Sequence, residues 1–287
     1  MIISVASGKG GTGKTTIAVN LALSLGNVQF LDCDVEEPDS HIFLKPEIEK
    51  SCPVSIPVPG VDEKKCNYCG RCAEVCAYNA IAVISAKDGS ASGGKNKVLV
   101  FPELCHGCGG CALLCPRQAI TEQDKKIGVV EIGKSNNIQF AHGRLDIGQA
   151  MSPPLIRAVK DYLNPTRLVI IDAPPGTSCP VIEAVKGSNF CILVTEPTPF
   201  GLNDLILAVE ALEKLKVAFG VVINRSDIGD EKVERFCQDE QIPVLMRIPF
   251  DKEIAVAYSK GIPIIECLPE YEERFKQLLK TIKQTAA

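Results

Sequence analysis

The sequence predicts an α/β fold, a mostly parallel sheet with helices on both faces, carrying an inserted α+β domain. Three observations predict it. Apolar, strand-like runs alternate with helical segments at the start of the chain and again from Leu168 onward, the pattern of a parallel sheet covered on both faces. A glycine-rich loop, Gly8 to Gly13, joins the first strand to the first helix. Between these halves lies a segment of different composition, holding eight of the 14 cysteines between Cys66 and Cys115.

The chain has 287 residues, comfortable for one α/β domain with an insertion. Hydrophobic residues make up 46% and charged residues 23%, which excludes disorder, collagen and coiled coil. A net charge of −4 lacks the footprint of a general nucleic-acid binder. No apolar run is long enough to span a bilayer, and Met1 leads straight into a strand, so a cytoplasmic chain is expected, with no integral membrane contact. In a reducing compartment, so many thiols point to metal ligation rather than disulfides.

Taken in order, Met1–Ser7 is apolar and β-branched, hence a strand; Thr15–Leu25 reads as a helix, and Gln29–Asp32 begins the next strand. The insertion follows, marked by Pro53, Pro57 and Pro59 on its leading side. Its expected span is 58–133, leaving 1–57 and 134–287 to the sheet domain. A Gly/Ser-rich stretch, Asp88–Asn96, reads as a loop inside it. Strands are then expected at Leu168–Asp172, Phe190–Thr195, Val217–Asn224 and Val244–Ile248. Helices are expected near Val181–Lys186, Asn203–Leu215 and Lys232–Asp239. Right-handed crossovers place the strand C-termini, and so the ligand, along one edge of the sheet.

Gly8-Lys9-Gly10-Gly11-Thr12-Gly13-Lys14-Thr15 fits the phosphate-loop pattern G-x-x-x-x-G-K-[ST], between a strand and a helix. The glycines let backbone N–H groups curl around a β-phosphate, and the helix adds its positive N-terminus. Lys14 supplies a point charge and the Thr15 hydroxyl a Mg²⁺ ligand. Phosphoryl transfer also needs a metal shell and a group that orients water. Asp172, closing an apolar strand, suits the metal shell; capping a turn is the plainer role for an aspartate after a strand.

The run Lys9 to Thr16 resembles the deviant Walker A loop of the MinD/ParA/nitrogenase-iron-protein family, whose hallmark is the extra lysine at Lys9. Leu31-Asp-Cys-Asp34 resembles its switch I, and Ile171-Asp-Ala-Pro-Pro-Gly176 its Walker B and switch II. The resemblance implies an ATPase binding ATP or ADP with Mg²⁺, working as a homodimer or as a heterodimer with a similar subunit, Lys9 reaching the partner's phosphates. It implies that Asp34 orients or deprotonates the water and that Asp32 supports Mg²⁺ through water, the division of the two roles between them being open. It implies too that Asn224 reads the adenine, with Pro249 in a segment bordering the base.

The spacing C-x₂-C-x₂-C-x₃-C occurs twice, in Cys66–Ile81 and Cys105–Ile120, which agree at eight of sixteen positions. Three close thiolates wrap one face of a [4Fe–4S] cube while the fourth cysteine of each run crosses to the other cluster. Cys66, Cys69, Cys72 and Cys115 should hold one cluster, and Cys76, Cys105, Cys108 and Cys111 the other. The segment resembles a bacterial-type two-cluster ferredoxin, with Ala77 where the second run has Pro116. Two zinc ions are the alternative, disfavoured because zinc ribbons pair one CxxC with a distant one.

His41, His106 and His142 are isolated in sequence and read as surface or capping residues. The stripe Leu268, Tyr271, Phe275, Leu278, Leu279 and Ile282 reads as a helix face closing the core. Cys179, seven residues after Asp172, matches the spacing of a cluster ligand in the nitrogenase iron protein, but a buried structural cysteine is favoured because a second such ligand is missing. Cys33, Cys52, Cys191, Cys237 and Cys267 read as structural. Three functions follow from the resemblance: ATP-gated electron transfer to a partner metalloprotein, assembly or delivery of a metal centre, and MinD-like positioning with redox-sensing clusters.

Overall fold

The computed structural model describes residues 1–84 and 96–285, so the Asp88–Asn96 loop lies, apart from Asn96, outside the described residues. The chain divides into two compact units. One comprises Met1–Cys52, Val130–Arg144 and Leu155–Ala287; the other comprises Pro53–Val129 and Leu145–Pro154.

The first unit is built on a sheet whose strands alternate with helices. In chain order it contains β1 (Ile2–Ala6), α1 (Lys14–Leu25), β2 (Gln29–Asp32) and α2 (Ser40–Leu44). After the excursion of the chain come β7 (Ile138–Leu145), α5 (Pro153–Lys160), β8 (Val169–Asp172), α6 (Cys179–Val185), β9 (Phe190–Thr195) and α7 (Pro199–Leu215). The unit closes with β10 (Ala218–Asn224), α8 (Lys232–Asp239), β11 (Val244–Ile248), α9 (Lys252–Ser259), α10 (Ile264–Cys267) and α11 (Glu270–Thr285). The sheet order is β11-β10-β9-β1-β8-β2-β7, extended by β6 (Ile120–Ser135) and β3 (Glu47–Val61). From β11 to β7 every neighbouring pair is parallel. The expected mostly parallel α/β fold is what forms.

Register decides what gathers at the sheet's edge. Val5 and Asp32 both pair with Asp172, so β1, β2 and β8 end level and set Asp32 beside Asp172. Underneath, Phe30, Phe140 and Phe190 are fully buried. The C-terminal stripe closes this core: Tyr271, Phe275, Leu278 and Ile282 of α11 are buried with Ile17 and Leu21 of α1. Helix α7 starts four residues earlier than Asn203, because Thr198 accepts the Gly201 N–H at 3.0 Å and Pro199 presets the first turn.

The second unit holds α3 (Arg71–Val75), α4 (Gly110–Leu113) and an antiparallel pair, β4 (Ile81–Ile84) with β5 (Lys97–Val100). Its limits differ from the expected 58 and 133. Both positions fall inside continuous strands, β3 and β6, and the division comes at Pro53 and Val130, with Leu145–Pro154 joining this unit as well. Strands are delimited by backbone pairing, which composition does not report. In the large sheet three strands have no counterpart in the sequence expectations: β3, β6 and β7, the latter two meeting at the tight turn Asn136-Asn137, where Asn136 takes φ 50°.

Candidate functional site

The loop between β1 and α1 depends on glycine at defined points. Gly11 and Gly13 have φ of 77° and 97°, where a side chain is strained. A Cβ on Gly8 would meet the Asp204 carbonyl oxygen at 2.3 Å, so the loop lies directly against α7. Asn224, closing β10, donates from its side-chain amide to the Thr12 carbonyl at 2.8 Å and pins the loop from the other side. Helix α1 begins at Gly13 without a side-chain cap and without an acidic residue in its first turn. Its first N–H groups therefore stay available for an anion.

Above the loop lies an open cleft of about 1370 Å³. Gly10, Gly11, Gly13, Lys14, Thr15 and Thr16 line it, together with Asn224, Pro249 and Phe250. Lys14 Nζ is 3.6 Å from Asp34 Oδ2. Lys9 is turned toward its own chain, with Nζ 3.7 Å from Glu196 Oε2, while Arg225 holds the other oxygen of Glu196 at 2.6 Å.

Beside Thr15, oxygen atoms of Asp32, Asp39 and Asp172 lie within 4.8 Å of one another. Ser40 donates to Asp32 from both its hydroxyl and its N–H, and the Asp34 N–H donates to it at 3.0 Å. Asp172 is fully buried, and neither carboxylate oxygen has a hydrogen-bond partner of ordinary geometry. Burial pushes the Asp172 carboxyl up to about 7, with Lys14 and the Thr15 hydroxyl pulling the other way. Burial, then the neighbouring Asp172, raises Asp32 well above the usual range; burial lifts Asp34 to about 6 against the pull of Lys14. A fully buried Asp172 carboxylate with no such hydrogen-bond partner, crowded by Asp32 and Asp39 in an all-oxygen donor set next to a threonine hydroxyl, fits Mg²⁺.

In the second unit the two cysteine runs interleave. One cleft, about 350 Å³, is lined by Cys66, Cys69, Cys72 and Cys115. Another, about 470 Å³, is lined by Cys76, Cys105, Cys108 and Cys111. The backbone around them repeats: Tyr68 and Gly107 N–H groups donate to Cys66 and Cys105 sulfurs, both at 3.4 Å. Likewise the Ala80 and Ala119 N–H groups donate to Cys76 and Cys115 sulfurs at 3.2 and 3.3 Å. Such donors are the kind that hold and tune cluster thiolates.

The profile of the CobQ/CobB/MinD/ParA nucleotide-binding domain (CbiA) matches residues 3–264. The chain belongs to this family. It is a P-loop ATPase of MinD/ParA type. An uncharacterized protein of Methanocaldococcus jannaschii is 31% identical over 283 residues, covering 91% of this chain and 90% of that one. The iron-sulfur cluster carrier protein of Rickettsia bellii is 27% identical over 283 residues, 93% of this chain and 67% of the relative. In three dimensions the septum site-determining protein MinD of Pyrococcus horikoshii OT3, complexed with Mg-ADP, matches with a TM-score of 0.60. That match has 20% identity over 100% of this chain and 97% of the other, a likeness of fold. Among the described residues, no helix is long and apolar enough to cross a membrane.

Within this MinD/ParA-type ATPase, several residues at the site had no signal in sequence. Asp39 and Ser40 enter the carboxylate group from the start of α2, and Glu196 enters from the end of β9. Each is a polar residue just after a strand or before a helix, a place where capping is the ordinary role. Of the histidines, His41 is exposed as expected, whereas His142 is not a surface residue. His142 is buried with Nε2 2.9 Å from Glu131 and its ring edge-on to His41, 5.5 Å between centroids. His106 stacks on Tyr78 at 3.4 Å. Cys179 is exposed, not buried as expected, because it opens α6 at its solvent-facing end; Cys33, Cys191 and Cys237 are buried as structural thiols, and Cys52 and Cys267 are half-buried.

Proposed function

We propose that this ATPase couples ATP binding, hydrolysis and dimerisation to electron transfer through two [4Fe–4S] clusters toward a partner metalloprotein. The observation that carries the reading is the interleaving of the cysteines: each cleft gathers three from one run and the last from the other. Among the described residues, no three of the eight sulfurs fall within 4.8 Å of one another. A tetrahedral zinc with 2.3 Å bonds would draw its sulfurs to roughly 3.8 Å, so the spacing favours a larger cluster over zinc.

Bound clusters supply one-electron carriers, and MgATP supplies the phosphoryl group. The chain's own residues do the rest. The loop from Gly8 to Thr16 binds the phosphates through backbone N–H groups, with Lys14 on the β/γ oxygens. Thr15 and Asp172 would hold Mg²⁺ with Asp32 in support, and Asp34 would orient the attacking water. Lys9 leaves Glu196 to reach the phosphates of a second subunit, which makes hydrolysis depend on dimerisation. Asn224 and Pro249 frame the adenine.

Delivery of an iron-sulfur centre is the second reading, favoured by the relatives named iron-sulfur cluster carrier proteins. Four-cysteine ligation within a folded unit favours retention instead. The test is anaerobic turnover of ATP with a ferrous chelator present. Electron transfer expects about eight iron and eight sulfide per chain before and after turnover. Delivery expects iron to pass to the chelator in step with hydrolysis, and stoichiometric zinc in the purified chain would remove both readings.

A further inference from the structure

The two cysteine runs are near copies in sequence, yet their surroundings differ. Arg71 and Arg117, both exposed, line the cleft of Cys66, Cys69, Cys72 and Cys115. In the aligned repeat, the positions of Arg71 and Arg117 correspond to Gly110 and Tyr78. Tyr78 lines the other cleft, stacked on His106. That second cleft also carries Glu122, whose Oε1 lies 2.9 Å from the point where a Cβ on Gly109 would stand. At the matching point on Gly70 the neighbouring carboxylate oxygen is Glu74 Oε1, farther off at 4.0 Å. The residues lining the first cleft include these two arginines and no aspartate or glutamate. The residues lining the second include one carboxylate and no lysine or arginine.

Reduction adds one negative charge to a cluster, so nearby cations favour the reduced state and nearby anions oppose it. Arginine stays charged at every working pH, so the bias is permanent. We propose that the two cluster sites are thermodynamically unequal, the site of Cys66, Cys69, Cys72 and Cys115 having the higher potential, with Arg71 and Arg117 setting the difference. The proposal rests on the two-cluster reading above. One electron from a low-potential one-electron donor takes that site's cluster from the 2+ to the 1+ state, and no bond forms or breaks. A chain given a single electron holds it at the arginine-flanked site, and electrons arriving at the Glu122 site run downhill to it.

The test begins with iron and sulfide analysis of the anaerobically purified full chain. Fewer than two clusters would remove the two-cluster reading itself, an outcome distinct from two clusters of equal potential. A potentiometric titration with EPR detection is then expected to resolve two midpoints. Replacing both arginines, Arg71→Gln with Arg117→Gln, is expected to lower only the upper midpoint. The expected shift is a threefold to tenfold change in its reduction constant, roughly 30–60 mV at 59 mV per tenfold. Lysine at both positions is expected to restore it, since charge is what acts. Glu122→Gln is expected to raise only the lower midpoint, and it decides the matter if the arginine variant loses iron. Coincident midpoints in the native chain overturn the proposal. So do an arginine variant that leaves both midpoints in place or moves the lower one, and a Glu122→Gln chain whose lower midpoint does not rise.

Discussion

Burial and neighbouring charge together set the chemistry at Asp172. Its carboxylate is buried, unpartnered and close to Asp32 and Asp39, and burial raises its pKa from an ordinary 3.8 to about 7. Over that range the folded chain binds a proton that the unfolded chain has already released. Stability of the metal-free protein therefore falls as pH rises from about 4 through 7. Mg²⁺ replaces the proton, so the rise in Tm that Mg²⁺ with ADP produces should be larger at about pH 8 than at about pH 5.5. Calorimetry at the two pH values checks this. Asp172→Asn should raise the metal-free Tm at the higher pH and remove the Mg²⁺ increment; an unchanged increment would mean the ion sits elsewhere.

Elements with clean local patterns were legible from end to end. Strands β2, β9 and β11 and helix α8 occupy the residues their apolar runs or helical spacing predicted. Strands β3 and β6 were not, because long stretches of them alternate weakly and carry many charged residues, such as Glu122, Asp124, Lys125 and Lys126 in β6. Such a strand exists only because a neighbour pairs with it. Contact between elements also sets the cost of substitution. Gly8→Ala puts a Cβ 2.3 Å from the Asp204 carbonyl and should displace the loop from α7; the expected outcome is loss of ADP binding by titration calorimetry from a chain that still folds by circular dichroism. Phe275→Ala, at the fully buried centre of α11, should cost about 3–5 kcal/mol in denaturant unfolding. A cost under about 1 kcal/mol would show that α11 does not close the core.

For the whole molecule, the parked position of Lys9 separates nucleotide binding from association. Lys9 Nζ pairs with Glu196 rather than lying over the loop, so Lys9→Ala should bind ATP normally yet stay monomeric in light scattering with ATP and a hydrolysis-blocking Asp34→Ala background. Dimerisation of that variant would remove the trans role assigned to Lys9. The two units have separate clusters of contacts, so Cys69→Ala should lower bound iron by about half while ADP affinity stays within about twofold.

Chemistry written into adjacent residues was readable in the chain alone: the loop Gly8–Thr15, the paired cysteine runs and the apolar strands are all patterns within a few residues of each other. The carboxylate group was not, because Asp32, Asp39 and Asp172 are brought together by the parallel register of β2 and β8 and by the cap of α2. The same holds for Lys9 with Glu196, for His41 with His142, and for the two arginines that flank only one of two nearly identical cysteine sets. Spacing along the chain specifies local geometry, since each residue's neighbours are covalently fixed. Which distant side chains meet depends on strand order, register and packing, and those arise from the sum of burial over the whole fold.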